Sequence, residues 1–355
     1  MFIDTHVHGR DEKQSYKETI SHLLSVAERV AFSAVINIGN GDPPTTNKEA
    51  FLIYQDKAEK ANSKVRFYQY ILATPKPSQI EEAIKICGKC VEAAGIKIFL
   101  VHSIGDTNVS KRKDQKKVLE VLAKNKYKGV IMIHAEKEAY ITKDFDPKHP
   151  ITHCYNRPAI SEISAVDNFL DDALEAGYEG RIHIGHVSCP ETIDIKLKHA
   201  LKDRLSAEAG GQHLFMHQEH MTSLFPGGLY RKKNPPLREE HRMLEMQHKL
   251  LKREIDCYGD DHAPHAEKEK TSPPYLSGFP QLPVVPLVVK KFRELGMTDK
   301  QILDYMFNNA KKIFTPKLDK VEPRKDVSLN DLEELIKEVP KLRKEYEYDA
   351  WEGIL

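Results

Sequence analysis

A chain of 355 residues, 40% hydrophobic and 30% charged, has room for one large domain or two ordinary ones and has the composition of a soluble globular protein. Its net charge of +1 offers no global field for nucleic acid or an anionic membrane, and no apolar run approaches the roughly 20 residues of a membrane span. No basic stretch followed by an apolar one marks a secretory leader, which predicts a cytoplasmic location, and five scattered cysteines exclude a disulfide framework.

Apolar β-type segments alternate with helical ones along most of the chain. The expected strands are Phe2–Thr5, Ala34–Ile38, Arg66–Ile71, Ile96–Leu100, Gly129–Ile133, Arg181–Gly185, Leu205–Ala209 and Glu254–Tyr258. Helices are expected near Lys13–Val30, Lys48–Asn62, Gln79–Ala94, Asp114–Lys124, Ser161–Ala176, Pro190–Lys202 and Leu237–Lys252. Strand–helix alternation repeated eight times is the signature of an α/β (β/α)8 TIM barrel. The alternative, a doubly wound open sheet, lacks a Gly-rich dinucleotide fingerprint after its first strand. Gln212–Pro236 and Ala266–Pro286 are longer than ordinary loops, and the first is expected to cover the barrel mouth. Helices near Leu287–Leu295 and Asp299–Ile313 follow the last strand. The barrel is expected over residues 1–320, with 321–355 as a C-terminal helical extension packed on it. Its charged helix, Leu329–Tyr348, is expected to break at Pro340. Cys87 and Cys90 form a C-x-x-C inside a helical stretch, where an incidental pair is expected in preference to a redox or metal site.

The chemistry-bearing residues fall at the strand ends. His6 and His8, two apart at the end of the first strand, point to the same face and bring two imidazoles to one place. Imidazole is the commonest side-chain ligand for zinc. Lys97, His134, His186 and Asp261 also lie at or just beyond strand ends, the position from which a barrel draws its catalytic groups. Together they predict a metal site at the barrel mouth.

Several segments resemble the dihydroorotases, cyclic amidohydrolases of the metal-dependent amidohydrolase superfamily. Asp4-Thr5-His6-Val7-His8-Gly9-Arg10 is similar to that family's first-strand signature, and Asn40-Gly41-Asp42-Pro43-Pro44 to its turn after the second strand. Gly95-Ile96-Lys97-Ile98-Phe99 resembles the segment carrying a lysine that many members carboxylate. Ile133-His134-Ala135-Glu136 and Ile184-Gly185-His186-Val187-Ser188 resemble the two single-histidine strands, while Asn234-Pro235-Pro236-Leu237-Arg238 and Asp261-His262-Ala263-Pro264-His265 resemble the late loops.

The resemblance implies that His6, His8 and Asp261 hold one Zn2+ and that His134 and His186 hold a second, bridged by carboxylated Lys97. A bare Lys97 ammonium would be a like charge and no ligand, whereas its carbamate is an anion with two oxygens. Asp261 is the expected catalytic proton carrier. Arg10, Asn40, Asn234 and His265 are expected to bind substrate, Arg10 gripping a carboxylate bidentately. The implied reaction interconverts N-carbamoyl-L-aspartate and L-dihydroorotate in pyrimidine biosynthesis. Two alternatives stand beside it: a hydantoinase or allantoinase, or a weakly active homologue partnering aspartate transcarbamoylase. A homodimer is a further expectation. The chain departs from the pattern at Gly9, where the family often has a larger apolar residue, and at Asp260, where it usually has threonine. Asp260 is expected to face away from the metals. With three residues before Asp4, little or no accessory β-sandwich is expected, and His183 is expected to be structural.

Overall fold

The computed structural model describes residues 1–102 and 107–355. Its strands are β1 (Phe2–Val7), β2 (Phe32–Asn37), β3 (Arg66–Leu72), β4 (Ala93–Phe99), β5 (Val130–His134), β6 (Arg181–Ile184), β7 (Leu205–Ala209) and β8 (Cys257–Tyr258). They form one parallel sheet in sequential order from β1 to β8, and an isolated parallel bridge between Val7 and His262 brings the last segment back to the first. This is the (β/α)8 barrel. Among the described residues every named strand belongs to it, so no accessory β-sandwich is built from them.

Period-two alternation divides the core. On β5, Ile131 and Ile133 join the larger apolar cluster, packed with helical residues such as Leu119 and Phe169. Val130 and Met132 belong to the second cluster with Ile3, Ile36 and Tyr70, sealed by Phe307 and Phe314. His134 continues the Val130–Met132 face. The surrounding helices read as amphipathic: Ile20–Arg29 buries Ile20, Leu23, Leu24 and Ala27 at helical spacing, and Thr19 caps it by accepting from His22 N at 3.1 Å.

Differences from the sequence reading have local causes. The first helix begins at Ile20, because only a short 3-10 turn forms over Glu12–Gln14. The third, Pro77–Lys89, stops early because Ala93 already belongs to β4. β8 is only two residues long. Just before it, the Asp256 carboxylate accepts from Ala207 N at 2.8 Å, taking a bond that a longer ladder would give to a carbonyl. The long 212–236 stretch holds short helices at Gly211–Phe215 and Gly227–Tyr230. The C-terminal helix, Leu332–Arg343, runs through Pro340, since buried Val339 and Leu342 hold its last turns on the core. Beyond it Trp351 is buried in the same cluster, and Arg231 clasps this end through Ala350 O at 2.9 Å and Glu352 O at 2.7 Å. All five cysteines are free, and the Cys87 and Cys90 carbonyls both accept from Lys317 Nζ. Among the described residues no helix is long and apolar enough to cross a membrane.

Candidate active site

The site assembles where the two ends of the barrel meet. Asp261 N donates to His6 O at 2.9 Å and His8 N to His262 O at 2.8 Å, fixing the segment after β8 beside the end of β1. One ligand atom from each of His6, His8 and Asp261 then lies within 4.8 Å of the others. His8 Nε2 is 2.7 Å and His6 Nε2 3.3 Å from Asp261 Oδ1. Asp261 and His186 have φ of 57° and 36°, the left-handed region that non-glycine residues adopt rarely and at a cost of about 1–3 kcal/mol. Both turns aim a polar side chain at the same mouth.

The rings of His6, His8 and His134 are each oriented by a partner on the far nitrogen. Glu208, from β7, accepts from His6 Nδ1, from Thr5 Oγ1, from His183 Nε2 at 2.9 Å and from His186 N at 3.1 Å. Burial would raise this carboxyl, but His6 and His183 hold it well below the usual range. His8 Nδ1 donates to Asn40 Oδ1 at 2.7 Å, and His134 Nε2 to Glu136 Oε2 at 2.8 Å. Glu136 is itself gripped by Arg157 through two bonds, of 2.9 and 2.6 Å. His6 and His8 are thus left presenting Nε2, and His134 Nδ1. His186 Nδ1 is buried without a partner, its ring centroid 4.5 Å from that of His134 and 4.9 Å from that of His6. Burial pushes His6 down to about 4, keeping it neutral at ordinary pH, the form that binds metals.

Lys97 lies fully buried among these rings, 3.6 Å from Met132 Sδ and 5.0 Å from the Phe99 ring centroid. Burial lowers it to about 8, and its charge helps depress His6, His134 and His186. The structure gathers His6, His8, His134, His186 and Asp261 around one cavity, with His6, His8 and Asp261 in the tight group, while Lys97, two residues inside the end of β4, is buried behind that lining. Neutral imidazoles with oriented free nitrogens beside a carboxylate are a donor set suited to zinc.

Above them lies a cavity of about 420 Å³ whose lining includes Arg10, Asn40, Asn234 and His265. Arg10 is buried, and its Nε has no hydrogen-bond partner. Asn40 spends its carbonyl on His8, and Asn234 accepts from His153 Nε2 at 3.0 Å, so both keep their amide NH2 groups. His265 has partners at both ring nitrogens: Nε2 donates to Ser277 O at 3.0 Å, and Nδ1 stands 3.3 Å from Lys17 Nζ. Gly278 makes that fit possible. It has φ of 122°, and a Cβ there would lie 2.8 Å from Ala263 Cβ.

Dihydroorotases are among the proteins to which this chain is similar. The chain is 28% identical over 360 residues to a dihydroorotase of Methanosphaera stadtmanae, covering 98% of this chain and 77% of that one. It is 29% identical to a dihydroorotase of Aeropyrum pernix, covering 79% of this chain and 61% of the relative. The chain belongs to the cyclic amidohydrolase family. Its fold is similar to that of the L-hydantoinase of Arthrobacter aurescens, with a TM-score of 0.73 at 23% identity, over 89% of this chain and 71% of that one. No family model matches the chain.

In this cyclic amidohydrolase the two departures find local explanations. Gly9 N donates to Asn37 Oδ1 at 2.8 Å, and a Cβ on Gly9 would stand only 3.2 Å from the same oxygen. Asp260 is buried away from the cavity lining beside Asp4, whose Oδ1 accepts from Asp260 N at 3.2 Å, and burial raises it to about 7. His183 is buried between Ser206 and Glu208. Sequence reasoning missed Glu208, Arg157, His153 and Lys233. Glu208 had a signal, as the one charged residue of β7, whereas Lys233 looked like part of a solvated basic run, Arg231-Lys232-Lys233. Its Nζ is 3.0 Å from Asp261 Oδ2. Burial would raise Asp261, but Lys233, His6 and His8 hold it well below the usual carboxylate range.

Glu208 carries a prediction. Glu208→Gln keeps the shape but puts an amide where four donors converge. Partners that orient metal-binding histidines typically contribute 10–100-fold, so zinc affinity should fall by roughly that factor. Competition with a chromophoric chelator measures it. Unchanged affinity would leave Glu208 without a role in orienting His6.

Proposed function

We propose that this cyclic amidohydrolase is a zinc-dependent dihydroorotase, interconverting N-carbamoyl-L-aspartate and L-dihydroorotate. The observation that carries the choice of substrate is Arg10: a buried guanidinium with an unpartnered Nε, on the wall of the cavity above His6, His8 and Asp261. A planar guanidinium with free donors matches a carboxylate, which dihydroorotate has and hydantoin lacks.

His6, His8 and Asp261 would hold one zinc ion and His134 and His186 a second, and Lys97, if carboxylated at Nζ, would add an anionic oxygen ligand. Zinc held there would lower the pKa of water to about 7 and so make hydroxide available at neutral pH. Arg10 seats the substrate carboxylate, and the free amide groups of Asn40 and Asn234 orient the ring. Asp261, ionised in its pairing with Lys233, accepts the proton released as the ring carbonyl is attacked and passes it to the leaving amide nitrogen. His265, tied to Ser277 and Lys17, fixes the wall beside Arg10.

The test compares chelator-treated and zinc-restored protein on dihydroorotate and on hydantoin. Chelation should abolish turnover, zinc should restore it, and dihydroorotate should be the faster substrate. Faster turnover of hydantoin would make the protein a hydantoinase, and full activity in metal-free protein would remove zinc from the reaction. In crystals of the restored enzyme, density ending at a bare Lys97 ammonium would exclude the carbamate.

A further inference from the structure

Among the described residues Lys233 is the one cation bonded to the carboxylate at the centre of the site, and the reading above uses it only to keep Asp261 ionised. The side chain is buried, its Nζ bonding Asp261 Oδ2 at 3.0 Å and standing 5.6 Å from the Phe279 ring centroid. Its backbone is fixed independently of Asp261. Lys233 O accepts from His153 Nε2 at 2.8 Å, and the preceding carbonyl, Lys232 O, accepts from the buried Lys270 ammonium at 2.8 Å. Lys232 Nζ in turn donates to Tyr275 O at 2.7 Å and Ser277 Oγ at 2.9 Å. The segment therefore delivers the Lys233 ammonium to a set place rather than letting it follow the carboxylate.

Asp261 is consequently divided. Oδ1 faces His8 Nε2 at 2.7 Å and His6 Nε2 at 3.3 Å, while Oδ2 is taken by Lys233. A buried ion pair is weak evidence of stabilisation, since desolvating both charges offsets much of their attraction. A fixed ammonium beside a site for a divalent cation also repels that cation. The arrangement makes sense if it holds the carboxylate still.

We propose that Lys233 is a positioning residue for Asp261, restraining Oδ2 so that only Oδ1 is offered to a cation held by His6 and His8, at the expense of cation affinity. This rests on the reading of His6, His8 and Asp261 as a zinc site. It predicts effects of opposite sign, which a purely structural lysine would not give.

Lys233→Met removes the repelling charge and frees Oδ2. Its zinc Kd, measured by competition with a chromophoric chelator, should fall at least about tenfold, equivalent to about 1.4 kcal/mol. Its kcat on dihydroorotate should fall at least about tenfold, because the carboxylate is no longer restrained. Lys233→Arg keeps the charge and should leave the zinc Kd near that of the wild type. If Lys233→Met does not fold without zinc, Lys233→Gln, which keeps a donor for Oδ2 but no charge, should likewise bind zinc more tightly. Zinc affinity in the uncharged variants that is unchanged or weaker, or wild-type kcat in Lys233→Met, overturns the proposal. If the wild-type protein binds no zinc, the metal reading falls and takes this inference with it. If the wild type binds zinc and the variants match it, the inference about Lys233 falls alone.

Discussion

Asp261→Asn should lower turnover by about 10²- to 10⁴-fold, the range over which a positioned proton carrier contributes to rate. The substitution preserves the outline of the side chain and removes its charge and its capacity to take a proton. Turned with its NH2 toward Lys233 Nζ, 3.0 Å away, the amide sets donor against donor; turned with its NH2 toward the free Nε2 of His8, 2.7 Å away, it keeps a carbonyl for Lys233 but no charge. The Lys233 ammonium is then buried without its counter-charge, and breaking one side of a buried pair costs about 3–5 kcal/mol. The variant should therefore unfold at lower temperature than the wild type in the absence of metal, as well as turning over slowly. Steady-state kinetics with matched metal analysis and thermal unfolding separate the two effects. If Asp261→Asn keeps more than a tenth of wild-type turnover, Asp261 does not carry the proton.

The second large effect concerns Arg10 and substrate choice. Truncating one partner of a buried, hydrogen-bonded charge pair costs about 2–5 kcal/mol, much of it the penalty of leaving the other charge unpaired. At about 1.4 kcal/mol per tenfold, Arg10→Met should lower kcat/KM for dihydroorotate by roughly 30-fold to several thousandfold. Metal content should not change, because Arg10 stands outside the group formed by His6, His8 and Asp261. Hydantoin and dihydrouracil, which lack the carboxylate, should be poor substrates for the wild type and nearly indifferent to the substitution. An equal loss on all three compounds would show that Arg10 supports the cavity rather than recognising an anion.

What could be read in the sequence follows from how locally each feature is encoded. His6 and His8 share a strand, and the period of two is enough to bring them together. His134 and His186 could be placed because strand ends in this fold converge, whatever the intervening sequence, whereas Lys97 lies two residues inside the end of β4 and was singled out by its resemblance to the family segment. Features that depend on a distant partner were not legible. Glu208 serves His6 across 202 positions, and Lys233 meets Asp261 across 28, through a stretch that carries no periodic pattern. β8 was overestimated because Glu254–Tyr258 has the composition of a strand. Only the position of Ala207 shows that Asp256 spends its side chain on the ladder. Pro340 misled for the opposite reason, a strong local rule overridden by the tertiary packing of Val339 and Leu342.

The short β8 has a consequence for how the molecule holds its shape. Between β8 and β1 the ring is joined by one isolated bridge, Val7 to His262, flanked by the contacts of Asp261 N and His8 N. His6 and His8 stand on one side of this seam and Asp261 on the other, 253 positions from His8. Any ion shared by these three side chains is therefore a rivet between the first strand and the last, and its binding energy is also closure energy for nearly the whole fold. Stripping the ion should loosen the barrel at this joint, so metal-free protein should unfold at a lower temperature than metal-loaded protein.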